Sequence, residues 1–146
     1  MAIRMIRKDD DPVLRKISKV VDKFDNKLHV LLEDMVETMY DADGVGLAAP
    51  QIGLLKRIVV IDVGDGIVEL INPEIIEEKG KQTGDEGCLS LPGETGKVTR
   101  PEYVKVKAQD RSGNEIIVEG WDLMARAVCH EVDHLNGVLF TDHVKE

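Results

Sequence analysis

His130-Glu131-Val132-Asp133-His134 is the stretch that decides how this chain is read. Residues four apart on a helix share one face, so both imidazoles can reach a single ion. Glu131 follows His130 directly and stands three residues before His134, which puts a carboxylate beside that ion. Five residues thus supply two metal ligands and a general base. Two imidazoles next to two carboxylates are unfavourable to bury unless they hold something.

The residues on either side predict a helix over 123–136. Asp122 stands at the N-cap position and Gly137 at the C-terminal stop. Met124, Ala125, Ala127, Val128, Val132 and Leu135 spread around most of its circumference, as in a helix buried in a core. Two histidines leave an ion needing a third ligand. Cys88, in the turn-rich run Gly84-Asp85-Glu86-Gly87-Cys88-Leu89-Ser90, is the best candidate, because a thiolate suits iron or zinc. Cys129, one residue before His130, points about 100° away around the helix and reads as core.

The rest of the composition fits this picture. The chain has 146 residues, one domain's worth, with 42% hydrophobic and 32% charged residues. Its net charge of -9 repels phosphate backbones, so nucleic acid is not the expected ligand. No apolar stretch approaches the ~20 residues of a membrane span, and the first residues lack the apolar core of a signal peptide. A cytoplasmic protein is expected. In a reducing compartment the two cysteines are not expected to form a disulfide.

Upstream, Asp11 caps a short first turn at residues 12–16. Leu28, Leu31, Leu32, Met35 and Met39 recur at helical spacing and predict a helix over 26–41. The β-branched run 57–62 predicts a central strand, and 67–72 a second one after a Gly-Asp-Gly turn. Residues 103–109 alternate, with Val104 and Val106 opposite Lys105 and Lys107, and a turn at 110–113 returns them to a partner at 115–119. These elements predict one α+β domain over 1–146, mainly antiparallel strands around a central C-terminal metal-binding helix. Gly44-Val45-Gly46-Leu47-Ala48-Ala49-Pro50-Gln51 allows close backbone approach but equally suits a plain helix stop, and no phosphate-loop Lys-Ser or Lys-Thr pair follows it.

Three segments, Gly44 to Gln51, Glu86 to Ser90 and His130 to His134, together resemble the peptide deformylase family. That family carries Gly-x-Gly-Leu-Ala-Ala-x-Gln, Glu-Gly-Cys-Leu-Ser and His-Glu-x-Asp-His in this order, and all three motifs are complete here. The resemblance implies that Cys88, His130 and His134 ligate the metal, and that Glu131 is general acid and base. It implies that Gln51 and the Leu89 N–H donate to the developing oxyanion, and that the Gly46 backbone contacts substrate. It further implies ferrous iron in the cell, with zinc, nickel or cobalt as substitutes. Formyl-Met nascent peptides would be the substrates and formate a product. Many members continue into a longer basic C-terminal helix, whereas twelve residues follow His134 here, and at most a transient ribosome contact is expected. Some members carry an arginine near Thr95, which this chain lacks.

Val45 and Leu123 are candidate walls of a methionine pocket, or else ordinary core. Glu86 and Asp133 either orient the histidines or form structural salt bridges with Arg100 or Arg126. His29 and His143 read as surface residues. Two other functions share the helix motif: a zincin-type metallopeptidase, and a non-catalytic binding domain stabilised by its metal. Zincins usually take their third ligand downstream, which Cys88 does not match, and a closed structural site needs a fourth protein ligand.

Overall fold

Helix α1 spans Asn26–Asp41, as the leucine and methionine spacing predicts. Asp25 caps it, its carboxylate accepting from the Leu28 amide at 3.1 Å. A short 3-10 turn, Pro12–Arg15, precedes it, with the Asp11 side chain accepting from Val13 N–H. The structure is a computed structural model, and it describes residues 2–144.

Five antiparallel strands form the main sheet, in the order β1 (Gly46–Ala48), β2 (Ile58–Ile61), β3 (Val68–Lys79), β6 (Tyr103–Gln109), β7 (Glu115–Trp121). β2 is buried on both faces. Val59 and Ile61 turn toward helix α2 (Leu123–Leu135), while Ile58 and Val60 turn toward α1. This is why an unbroken β-branched run, rather than an alternating one, marks it. Its place is interior but beside the edge strand β1, not in the middle of the sheet. The α1 contribution is Leu28, Leu31, Leu32, Met35 and Met39, all buried. Each is worth roughly 1.5–3 kcal/mol of burial, and Leu32→Ala would cost about 2–5 kcal/mol.

The remaining two strands, β4 (Gln82–Cys88) and β5 (Leu91–Arg100), pair only with each other. The turn-rich run 84–90 does not predict a strand, and both strands are additions. β3 also runs further than predicted. Asn72, at φ +53°, and Pro73 interrupt its pairing with β6, yet the strand resumes beyond them to Lys79. β7 extends past residue 119 to Trp121, and the expected first turn is a 3-10 turn that ends at Arg15.

Helix α2 lies against the main sheet through Ala125, Val128, Cys129 and Leu135, and reaches the β4–β5 hairpin through Arg126, which donates to the Gly84 and Val98 carbonyls. It is the central element expected. Gly137, at φ +74°, supplies its left-handed exit. Asp122 occupies the N-cap position but its side chain makes no capping bond. His29 is half-buried, its Nε2 2.9 Å from the Arg111 carbonyl, and is not the free surface residue expected.

Candidate metal centre and cleft

α2 presents His130 and His134 on one face, and the end of β4 brings Cys88 against them. The two Nε2 atoms stand 3.1 Å apart, and the Cys88 Sγ lies 3.3 Å from His134 Nε2. All three donor atoms fall within 4.8 Å of one another. Metal–nitrogen and metal–sulfur bonds of roughly 2.0–2.3 Å span such separations, and one thiolate with two imidazoles suits iron or zinc. The residues therefore fit a single ion. Cys129 is buried in the core instead, and burial pushes its thiol up to about 12.

The two imidazoles differ in charge. Burial, reinforced by charge on His130 and Arg100, holds His134 well below its ordinary pKa, so it offers a neutral lone pair. Burial acts the same way on His130, but Glu131, Cys88 and Glu86 around it outweigh that effect and raise it. Two rings facing through Nε2 share one proton or one cation between them.

Glu86 orients His130. One carboxylate oxygen lies 2.9 Å from His130 Nδ1, and the two oxygens accept from Arg100 at 2.9 and 3.0 Å and from Arg126 at 2.6 Å. Burial disfavours the Glu86 charge, but His130 and Arg100 overcome it and keep the carboxyl ionised far below the usual range. Glu86 is thus both an orienting partner and a salt bridge, the two roles the sequence left open. Asp133 takes only the second role, accepting from Arg100 at 2.7 Å and lying 3.1 Å from His143 Nε2. Among the described residues His134 Nδ1 is buried without a protein partner.

Glu131 projects beside this donor set. Its Oε2 stands 4.0 Å from His130 Nε2, and its Oε1 is buried with no partner among the described residues. Burial lifts its carboxyl to about 7, with the His130 charge pulling the other way, so its proton exchanges near neutral pH. Gly46 makes room for it: a Cβ there would come within 2.6 Å of Glu131 Oε2. The first strand of the sheet therefore needs glycine at this position for the carboxylate, a reason the sequence reading did not contain.

Gln51 is fixed from both ends. Its Oε1 accepts from the Ala48 amide at 2.9 Å, so its NH2 must point the other way, where it donates to Ser90 Oγ at 3.1 Å and toward Cys88 Sγ at 3.5 Å. The Ser90 amide also donates to Cys88 Sγ, at 3.4 Å. Ser90 was missed as a partner, although it closes the Glu-Gly-Cys-Leu-Ser motif.

A cleft of about 470 Å³ opens over these groups, lined by Gln51, Cys88, Leu89, His130 and Glu131 and by Gly44, Val45, Gly46 and Leu123. Val45 and Leu123 are 46% and 49% exposed, so they are cleft walls and not core.

A family model described as polypeptide deformylase matches residues 3–146. A peptide deformylase of Alkaliphilus metalliredigens is 65% identical over 144 residues, 99% of this chain and 98% of that one. Peptide deformylase 1 of Clostridium acetobutylicum is 62% identical over 146 residues, 100% of this chain and 97% of its own. The crystal structure of a peptide deformylase from Thermotoga maritima has a TM-score of 0.96 at 47% identity, covering 99% of each chain.

Fold, donor set and these likenesses place the protein among the metal-dependent hydrolases. The chain belongs to the polypeptide deformylase family, and it is an enzyme that removes the N-terminal formyl group from new polypeptides. Neither the metallopeptidase nor the non-catalytic alternative finds support in these matches. No helix among the described residues is long and apolar enough to cross a membrane.

Proposed function

We propose that Cys88, His130 and His134 hold one divalent ion, ferrous iron in the cell, and that Glu131 is the general base and acid of formyl hydrolysis. Gln51 and the Leu89 N–H donate hydrogen bonds to the formyl oxygen as negative charge develops on it. The observation that carries this is the convergence of three donor atoms within 4.8 Å beside a buried carboxylate.

A divalent ion on such donors acidifies water, from 15.7 to about 7 in comparable sites, and polarises a carbonyl. Glu131 removes a proton from the attacking water as its oxygen bonds to the formyl carbon. The C–N bond then breaks, and Glu131 returns that proton to the leaving amine, giving formate and a free N-terminus. The Ala48 amide holds the other end of Gln51 so that its NH2 faces the site, and the formyl oxygen takes the place of its long 3.5 Å contact to Cys88 Sγ. One oxyanion donor is worth about 3 kcal/mol.

The substrate enters as an extended chain. β1 pairs with β2 on one side only, and Gly46 at its start lines the cleft together with Gly44 and Val45 just before it. A formyl-Met peptide laid there meets main-chain hydrogen-bonding groups, and the apolar walls Val45 and Leu123 suit its methionine side chain. One catalytic domain spans residues 1–146. It works in the cytoplasm on nascent chains, with at most a transient contact to the ribosome.

Formate release from formyl-Met-Ala-Ser by anaerobically purified protein, with metal content measured alongside, tests this reading. Turnover with about one bound ion per chain supports it. Equal turnover of acetyl-Met-Ala-Ser, or activity retained by metal-free protein, overturns it.

A further inference from the structure

The chain before the first 3-10 turn runs as an irregular strap over two elements of the cleft. Its start is pinned to α1. The Arg4 amide donates to Thr38 Oγ1 at 2.8 Å, and the Arg4 guanidinium forks onto the buried Asp34 at 3.0 and 2.8 Å. Further along, the Arg7 amide donates to the Gln51 carbonyl at 2.6 Å and the Asp9 amide to the Ser90 carbonyl at 2.8 Å. Asp9 holds φ +54°, a conformation side-chain-bearing residues rarely adopt.

Gln51 and Ser90 lie 39 residues apart, joined through Gln51 Nε2 and Ser90 Oγ. Gln51 sits in a single 3-10 turn, Ala49–Ile52, and Leu89 in the two-residue connection of a hairpin that has no other strand neighbour. The Gln51 side chain is the direct tie between the two elements, and the strap adds a main-chain bond to each.

We infer that the main-chain amides of Arg7 and Asp9 form a clasp that sets the distance between the two oxyanion donors, which makes these strap residues positioning residues for formyl hydrolysis. The inference rests on the roles proposed above for Gln51 and Leu89. Displacement of a donor by about 1 Å can cost on the order of 100-fold in rate. The loss cannot exceed that of deleting the donor itself, about 100- to 1,000-fold.

A double-mutant cycle tests it. Arg7→Pro removes the N–H. It should lower kcat about tenfold, with KM within about twofold and metal content unchanged, and Arg7→Ala, which keeps the N–H, should recover the lost kcat. In a Gln51→Ala background the proline should add little, because the donor it positions is gone. A full multiplicative loss in that background, or no loss of kcat from the folded single variant, overturns the clasp. Wild-type activity of Gln51→Ala alone overturns instead the donor assignment beneath it. If Arg7→Pro does not fold, Arg4→Met unpins the strap without touching either amide. The same cycle then applies: a kcat loss that disappears with Gln51→Ala supports the clasp, and an additive loss or none overturns it.

Discussion

Gly46 and Glu131 are built for each other: the missing side chain of the first is the space that the carboxylate of the second occupies. An added Cβ would approach Glu131 Oε2 to 2.6 Å. The atom it meets is the free end of a flexible side chain, so the carboxylate, not the backbone, gives way. Gly46→Ala should keep its fold and metal and lose at least tenfold in kcat. Formate release together with a thermal melt checks this. A variant with unchanged kcat would mean that the carboxylate position is not critical.

Ligands and base should separate cleanly. Glu131→Gln preserves volume and removes the base, and should retain metal while losing activity by at least about 100-fold. His130→Ala and Cys88→Ala should lose metal and activity together, and Cys129→Ala neither. Elemental analysis beside formate release distinguishes the classes. Near wild-type turnover by Glu131→Gln would sink the mechanism.

Glu86 stands between two buried guanidiniums and an imidazole, only 6% exposed. Glu86→Ala leaves the Arg126 guanidinium without a carboxylate and Arg100 with Asp133 alone. Removing one partner of a buried pair typically destabilises by about 3–5 kcal/mol, and denaturant unfolding should show a loss of that order. A change below about 1 kcal/mol would show that water reaches the guanidiniums and that the network is not dry.

The strap should respond to acid. Burial pushes the Asp34 carboxyl up, but the Ala2 amide and the Arg4 guanidinium outweigh it and hold it below its ordinary value of 3.8. A depressed folded pKa means stability that is complete above that ordinary value and lost as pH falls through the folded one. Protection of the Ala2 and Arg4 amides from hydrogen exchange should stay level between pH 7 and 5 and decline below about 4. Asp34→Asn should flatten the profile. Protection that fell between pH 7 and 5 would assign the contact to another group.

Much of this could be read from residue spacing, and the failures share a cause. The period of Leu28, Leu31, Leu32, Met35 and Met39 places α1 because a helix buried on one face must repeat it. The alternation at Val104 and Val106 places β6 for the matching reason. The β4–β5 hairpin escaped because Gly84, Gly87, Pro92, Gly93 and Gly96 are turn residues by local chemistry, and its pairing is set by long-range packing under Leu91, Val98 and Phe140. The same limit divides the site. His130 and His134 declare themselves four apart, whereas the Glu86, Arg100 and Arg126 network joins three elements whose meeting no local spacing encodes. Gln51 and Leu89 were reached only through family resemblance.

The free side of β1 carries one more consequence. An exposed sheet edge ordinarily invites other chains to pair with it. Here the edge strand is three residues long, Gly46 alone of the three lines the cleft, and the Ala48 amide is already taken by Gln51 Oε1. A lone extended segment can reach it, and a helix or a finished sheet cannot. On the extended binding proposed above, a substrate whose N-terminus has already folded is out of reach, and formyl removal competes with the folding of the very chain it processes.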